Sequence, residues 1–228
     1  MGRAMRMLDA AGELLLAHGY RRVTIEDVAR RAGVGKGTVY LHFASKLDLF
    51  AGVLVRDSVA ITAELRAALA ADPSEVALDV TMRSTFLAVQ RRPLTLALYT
   101  GDAATLGAII GETKVGLEIL VDKSAFTRRY FPLLHRHGLL ADDPATTPDL
   151  AYRFGAATAG FFLDHLVQVG PGMDVDARAD ALAAVVRRGF TPPGEPHPAA
   201  LAAAAPELAA LYDETHDHLV SALPQEES

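Results

Sequence analysis

Residues 24–50, TIEDVARRAGVGKGTVYLHFASKLDLF, constrain the fold more than any other stretch of this 228-residue chain. Thr24 and Asp27, three residues apart, have the pattern of a capping box, which predicts that a helix begins immediately after the threonine. Gly33 predicts the end of that helix, because glycine readily adopts the left-handed backbone conformation. A second short helix is expected over 36–41.

A third helix is predicted after Ser45, which forms a second capping pattern with Asp48. A helix, a glycine turn and a helix within about twenty residues is the plan of a DNA-binding helix-turn-helix, whose second helix enters the major groove. A preceding helix is predicted over 3–18 and ends at Gly19. The apolar residues that can close a core beneath that helix are Ile25, Val28, Ala29, Val34, Val39, Phe43, Leu47 and Phe50.

The polar residues left outside this core are of the types that bind DNA. Hydroxyl, imidazole and cationic groups satisfy phosphate oxygens and base edges. A glycine lets the backbone approach a groove wall closely. These candidates for DNA contact are Lys36, Gly37, Thr38, Tyr40, His42 and Lys46.

The segment resembles the N-terminal domain of the TetR family of bacterial transcriptional regulators. The residues that carry the resemblance are Thr24, Val28, Ala29, Ala32-Gly33-Val34, Gly37-Thr38-Val39-Tyr40, His42-Phe43, Ser45-Lys46 and Leu49. The resemblance implies an all-α chain, in which a three-helix DNA-binding domain precedes an all-helical ligand-binding and dimerisation domain. It also implies a two-fold dimer that a small molecule releases from operator DNA.

Carried over by position, the resemblance assigns DNA contacts to a set of polar residues. They are Thr24, Lys36, Thr38, Tyr40, His42 and Lys46, and we place Gly35 and Gly37 in the same surface. Gly35 departs from the family pattern, which commonly has a serine or threonine there. This departure removes a hydroxyl contact and the side-chain cap of the recognition helix.

The distribution of charge agrees with a DNA-binding N-terminus. The whole chain has a formal charge of -6, but its first fifty residues carry eight cationic and five acidic side chains, a balance of +3. The remainder therefore carries -9. A basic segment joined to an acidic body orients the basic part towards phosphate.

Beyond residue 50 the sequence predicts further helices separated by proline and glycine, and no strands. The predicted helical spans are 50–71, 74–92, 94–100, 103–111, 112–137, 148–169, 175–190 and, after a proline-rich connector, 201–223. The predicted domains are the helix-turn-helix domain over 1–50, the ligand-binding and dimerisation domain over 51–190, and the connector with its amphipathic C-terminal helix over 191–228.

The resemblance implies that the penultimate pair of helices forms the dimer interface, and the spans 148–169 and 175–190 suit that role because both have apolar surface on more than one side. The alternative is that they are buried entirely within their own subunit. The C-terminal helix is expected to dock on its own subunit or on the partner. Apolar and aromatic residues chosen as walls of a ligand pocket, with one histidine, are Met82, Phe86, Tyr99, Phe126, Tyr130, Phe161 and His165.

Other chemistries have weaker support. The glycine-rich stretch 33–38 lacks the residue order of a phosphate-binding loop and follows a helix. His135 with His137, and His216 with His218, lie two residues apart and so face different sides of a helix, without a thiol or an obvious carboxylate partner. No nucleophile motif is present. We therefore predict no metal, no cofactor and no enzymatic activity.

The sequence also lacks a recognisable signal peptide or membrane span, and the absence of cysteine fits a reducing cytoplasm. We expect a cytoplasmic, nucleoid-associated protein without a membrane partner. The predicted function is that of a homodimeric repressor that binds palindromic double-stranded operator DNA and is released by a small lipophilic inducer. The alternative is a ligand-independent DNA-binding adaptor that recruits a protein partner through its C-terminal helix.

Overall fold

The computed structural model describes residues 2–100, 102, 106, 114–163 and 172–224, with the backbone alone described over 114–124. These residues form α-helices, one 3-10 turn and connecting loops, with no strand among them, so the all-α prediction is confirmed. The helices are α1 (Arg3–His18), α2 (Ile25–Ala32), α3 (Lys36–His42), α4 (Lys46–Ala71), α5 (Leu78–Gln90), α6 (Pro93–Thr100), α7 (Lys114–Arg136), α8 (Leu150–Phe162), α9 (Val175–Phe190) and α10 (Pro198–Ser221).

The described residues divide into two compact units. The first unit takes its residues from 1–60, 92–122 and 217–228, and the second from 61–91 and 123–216. Helices α1, α2, α3 and α6 belong to the first unit, while α5, α8 and α9 belong to the second. Each of the two units has its own buried apolar residues and is described separately below.

The core of the first unit confirms most of the apolar residues predicted for it. Six of the eight predicted core residues are buried, and Val34 and Leu47 are partly buried against the same cluster. Two glycines allow close approach within this core. A Cβ atom added at Gly52 would lie 3.0 Å from Leu8 Cδ2, and one added at Gly12 would lie 3.3 Å from Val53 Cγ1. Helices α1 and α4 therefore pack closely because these positions have no side chain.

The N-terminal helices follow the predicted local signals, with one correction. Helices α1 and α2 have the predicted bounds, and α3 extends one residue further than expected, to His42. Ser45 Oγ accepts a hydrogen bond from the Asp48 backbone N–H at 3.1 Å and caps α4 as predicted. The separate helix expected from residue 50 was wrong, because α4 runs without interruption from Lys46 to Ala71.

The predicted helix 74–92 is interrupted near its start. A 3-10 turn covers Pro73–Val76, and Ala77 is extended with φ -67° and ψ 137° before α5 begins. The Tyr130 hydroxyl donates a hydrogen bond to the Val76 carbonyl oxygen at 2.7 Å. A side chain of α7 therefore satisfies the Val76 carbonyl at the point where the helical pattern is interrupted.

The remaining helical predictions are confirmed in type and differ mainly at their ends. The 175–190 prediction matches α9, and the 94–100 and 112–137 predictions correspond to α6 and α7. Helix α8 begins at Leu150, two residues later than predicted, and its predicted continuation over 164–169 lies outside the described residues. Most of the predicted helix 103–111 also lies outside them.

Helices α5 and α9 pack together in the second unit. The apolar face predicted for α9 consists of Val175, Ala179, Leu182, Val186 and Phe190. The last four are buried, and Val175 at the start of the helix is half-buried. Ion pairs also join the two helices. Arg187 Nε donates to Asp79 Oδ2 at 2.7 Å, and only 7% of the Asp79 side chain is exposed. A buried carboxylate of this kind requires its cationic partner.

Helix α10 is an integral part of its own chain. Its residues Ala204, Leu208, Leu211 and Tyr212 are buried, and the Tyr212 ring stacks on Phe126 with centroids 5.4 Å apart. Ion pairs Arg66–Asp213, Arg129–Glu214 and Arg136–Glu207 reach this helix from α4 and α7. Of the two docking sites predicted for the C-terminal helix, its own subunit therefore provides the contacts that bury this face.

Candidate nucleic-acid interface

The turn between α2 and α3 is built by backbone hydrogen bonds around Gly33. This residue has φ 68° and ψ 36°, the left-handed conformation predicted from the sequence. The Val34 backbone N–H donates to the Ala29 carbonyl oxygen at 2.9 Å, which closes the end of α2. The chain then enters α3 at Lys36, three residues after the turn glycine, so the spacing of a helix-turn-helix is achieved locally.

Thr24 holds the start of α2 through both halves of a capping box. Its Oγ1 accepts a hydrogen bond from the Asp27 backbone N–H at 3.2 Å, and its own backbone N–H donates to Asp27 Oδ2 at 3.0 Å. The Thr24 hydroxyl also donates to Asp27 Oδ2 at 2.6 Å, and this bond, together with the one from the Thr24 backbone N–H, lowers the pKa of the Asp27 carboxyl. Thr24 is nevertheless exposed, so this candidate DNA-contact residue also has a structural role in the free protein.

Helix α3 is fixed to the core by one side and exposed on the other. Val39 and Phe43 are buried, whereas Lys36, Gly37 and Tyr40 are exposed. The other two polar candidates, Thr38 and His42, are half-buried. The side of α3 that the core leaves open therefore carries the predicted contact residues of this helix.

The first turn of α3 begins without a side-chain cap. Gly35 stands at the capping position with φ -73° and ψ 151°, and its carbonyl oxygen accepts a hydrogen bond from the Thr38 backbone N–H at 3.0 Å. A Cβ added at Gly35 would meet only Thr38 Oγ1, at 3.8 Å. The backbone at the start of the helix is consequently open to a close neighbour.

Lys36 is paired with a carboxylate on the preceding helix. Its ammonium forms an ion pair with Glu26, and both side chains are about half exposed. The hydrogen bond between them raises the pKa of Lys36 and lowers the pKa of Glu26. The ammonium also lies 5.9 Å from the centre of the Tyr40 ring. An exposed pair of this kind is weak, so a phosphate can compete for the cation.

Lys46 is placed differently from Lys36. Its Nζ donates a hydrogen bond to the Tyr20 carbonyl oxygen at 2.6 Å and lies 4.3 Å from the centre of the Tyr20 ring. Partial burial lowers the pKa of this ammonium. Sequence reasoning did not predict this contact, because 26 residues separate the partners. Lys46 therefore links the start of α4 to the connection between α1 and α2.

Six of the seven ligand candidates lie within the described part of the chain. Phe126 lies 5.5 Å from Tyr130 between ring centroids, and Phe86 contacts Phe162 at 5.3 Å. Tyr130 is buried and has an internal partner through its hydroxyl, and burial raises its pKa well above the usual value. Met82 and Phe161 are half-buried in the second unit, Tyr99 is half-buried in the first, and His165 lies outside the described residues.

A groove with a volume of about 650 Å³ lies elsewhere in the second unit, between α4 and α10. Half of its lining residues are alanines, and Arg66, Asp213 and His216 are the polar ones. None of the six ligand candidates within the described residues lines this groove. The sequence analysis therefore did not identify the residues that form it.

The histidine pairs also differ in part from the prediction. His137 Nε2 lies 2.7 Å from Glu207 Oε1, and His135 Nε2 lies 3.9 Å from Asp143 Oδ2. The expectation that this pair lacks an obvious carboxylate partner was wrong. Glu207 lies 70 positions from His137, whereas Asp143 lies only eight positions from His135. Over the described part of the chain, no group of three His, Cys, Asp or Glu residues is arranged to hold a metal ion. No single helix there has both the length and the apolar character of a membrane span.

Comparisons with known proteins agree with this helix-turn-helix geometry. Residues 7–53 match the family described as bacterial regulatory proteins, tetR family. The chain is 35% identical over 113 residues to the HTH-type transcriptional repressor KstR of Mycolicibacterium smegmatis, which covers 47% of this chain and 55% of that protein. It is 39% identical over 67 residues to the HTH-type transcriptional activator FasR of the same organism, covering 29% of this chain and 31% of FasR.

The N-terminal segment, residues 7–53, belongs to the TetR family of bacterial regulatory proteins. The TetR-family fold extends beyond the N-terminal segment. A crystal structure of a TetR-family transcriptional regulator from Streptomyces coelicolor aligns with a TM-score of 0.55 at 19% identity and covers 99% of this chain and 93% of that one. The chain spans about a third of the length of FasR and just over half of that of KstR.

Proposed function

We propose that this TetR-family regulator binds palindromic operator DNA as a homodimer and represses transcription until a small ligand releases it. The observation that carries the proposal is the open side of α3. Lys36, Gly37 and Tyr40 are exposed there, while Val39 fixes the helix to the core with no exposed surface of its own. A helix held in this way can enter the major groove and present polar groups to phosphates and base edges.

The DNA-contact surface that we propose is that of the sequence analysis. It consists of Thr24, Gly35, Lys36, Gly37, Thr38, Tyr40, His42 and Lys46. Exposed Arg21 and Arg22 follow α1 and add positive charge to the same unit. Operator binding of this kind would place the protein on chromosomal DNA in the cytoplasm.

A homodimer is supported by an exposed face of α8. Tyr152 has 78% of its surface exposed. The neighbouring exposed residues Gly155, Ala156, Ala159 and Gly160 recur at helical spacing. Cβ atoms added at the two glycines would meet nothing within 4 Å. Small side chains let a second helix approach closely, and most soluble oligomers are symmetric. We therefore propose that α8, with α9 beside it, packs against its counterpart in a partner subunit.

We propose that the ligand binds within the second unit. The aromatic residues Phe86, Phe126 and Phe161 all belong to the second unit and favour a lipophilic ligand. Such a ligand can act only by binding more tightly to the form of the dimer that does not fit the operator. We propose repression and not activation, because the match to the repressor KstR covers more of both chains than the match to the activator FasR.

The adaptor alternative depends on α10 as a partner surface. Leu208, Leu211 and Tyr212 are buried within the chain, so only the exposed side of the helix is open to another protein. Deletion of 191–228 would remove buried residues as well, and would therefore not separate the two functions. Arginine substitutions at exposed Ala203 and Ala210 are a better test. Unchanged regulation of the target promoter by these variants would argue against an adaptor.

The proposed function is tested by selecting binding sites from a random duplex library with the purified full chain. We expect enrichment of a dyad-symmetric site, with half-sites whose centres lie about 34–36 Å or a multiple apart. A folded protein that enriches no site would overturn the proposal. With the selected operator in hand, lipophilic dyes and acyl compounds are then screened for release of the labelled duplex, measured by fluorescence anisotropy.

A further inference from the structure

The most exposed large apolar residue of helix α3 has no role in the proposal above. Leu41 has 82% of its surface exposed, more than Tyr40 at 48%. Val39, two residues earlier, is completely buried. Because residues two apart face different sides of a helix, Leu41 points away from the core that holds α3. Sequence reasoning passed over it, since the candidates were chosen among polar residues and glycines.

The surroundings of Leu41 on α3 are open. Gly37 lies four residues earlier and therefore one turn away on the same face. A Cβ added at Gly37 would meet nothing within 4 Å. Leu41 thus projects beside the exposed backbone of Gly37. No side chain at position 37 would prevent a flat surface from reaching Leu41.

The charge of this region indicates what can cover the leucine. The first fifty residues carry a net +3, and Lys36 on the same helix is exposed. A cationic surface favours a polyanion over another copy of a chain whose total charge is -6. Within the major groove of DNA, the one aliphatic group on the edge of a base pair is the 5-methyl group of thymine.

We propose that Leu41 reads sequence directly, by packing on the 5-methyl group of a thymine in each half of the operator. This inference rests on the proposed role of α3 in the major groove and adds a specificity-determining residue to it. In the free protein the exposed leucine contributes little to stability. In the complex, the leucine and the thymine methyl group are removed from water together, which is favourable. The preference therefore appears only when DNA is bound.

The test replaces each thymine of the selected operator in turn by deoxyuridine, which removes only the methyl group. We expect one symmetry-related position per half-site at which the wild-type protein loses affinity, by about fourfold per methyl group. Leu41→Ala should bind the thymine operator more weakly and should no longer distinguish thymine from deoxyuridine at that position. Leu16→Ala is the matched control, since Leu16 is an exposed leucine of α1 at 49%, and it should keep the wild-type response.

Two results would overturn the inference while leaving operator recognition intact. One is a deoxyuridine response that is the same in wild type and Leu41→Ala. The other is a change in the sedimentation of the DNA-free protein caused by Leu41→Ala, which would make this face a contact between protein chains. Failure to select any operator would instead remove the proposed function itself. Circular dichroism of Leu41→Ala should match wild type, because the side chain is not part of the core.

Discussion

The Lys46 ammonium donates a hydrogen bond to the Tyr20 carbonyl oxygen at 2.6 Å and lies against the Tyr20 ring. The Tyr20 ring in turn meets Phe50 edge-on, with centroids 5.5 Å apart. Lys46 thus joins the first turn of α4 to the loop that follows α1. A lysine has three donors, so this internal bond leaves N–H groups that can reach a phosphate.

We predict that Lys46→Met lowers both stability and DNA affinity. Loss of the hydrogen bond to Tyr20 should reduce the free energy of unfolding by about 1 kcal/mol. Loss of a phosphate contact should reduce the salt slope of operator binding by about one unit. Chemical denaturation and binding titrations at several salt concentrations measure the two effects. Lys36→Met should change the salt slope equally with little change in stability. A stability loss in Lys46→Met without any change in slope would show that the residue only supports the fold.

Gly33 and Gly37 form a matched pair with opposite expected effects. Gly33→Ala places a side chain at φ 68° and should cost about 1–2 kcal/mol of stability, although no neighbour obstructs the new Cβ. Gly37→Ala lies within α3 in open space and should stabilise the fold by about 0.5–1 kcal/mol.

The same two variants should differ in DNA binding. The methyl group added by Gly37→Ala faces the proposed groove wall and should weaken operator binding about tenfold, or ~1.4 kcal/mol. Gly33→Ala should bind normally once it is folded. Thermal unfolding and anisotropy titrations decide both points. Wild-type affinity in Gly37→Ala would mean that the backbone of α3 does not approach DNA at this position.

The second unit offers a test of its buried carboxylate. Arg187→Met leaves Asp79 without its cation and should reduce the free energy of unfolding by about 2 kcal/mol, measured in urea. The double variant Asp79→Asn with Arg187→Met should recover part of that loss, because the unpaired charge is then gone. Equal destabilisation of the single and double variants would show that the ion pair is not the cause.

Dimer formation is tested on the exposed face of α8. Ala156→Arg adds a long cationic side chain to a surface of small residues and should convert the protein to monomers in sedimentation velocity experiments. Operator affinity should fall with it, since each monomer reaches only one half-site. Ala203→Arg on α10 is the control for an exposed alanine and should sediment as wild type does. A dimeric Ala156→Arg would move the proposed interface away from α8.

The features that could be predicted from the sequence are those whose causes lie within a few residues. The capping box of Thr24 with Asp27 and the left-handed Gly33 are local, and the sequence pattern predicted both. The 3-10 turn before α5 was not predicted, because the hydrogen bond to the Val76 carbonyl comes from Tyr130 on another helix. The His137–Glu207 contact joins residues 70 positions apart and was missed for the same reason.

The candidate interface divides in the same way. Helical spacing around buried Val39 was enough to predict which side of α3 is open. The bond from Lys46 to Tyr20 depends on how α4 meets the loop after α1, which no short pattern specifies. The exposed Leu41 could have been found from spacing alone, since it lies two residues from Val39.

Gly12 and Gly52 limit which substitutions this sequence can accept. At Gly52 even the smallest side chain would press on Leu8 and Phe43, both almost wholly buried. In a library of random single substitutions, folded members should therefore retain glycine at 52 more strictly than at 155 or 160, where added atoms meet open space. The spacing of α1 and α4 thus depends on two positions that have no side chain. The neighbours of each position determine whether a substitution there is tolerated.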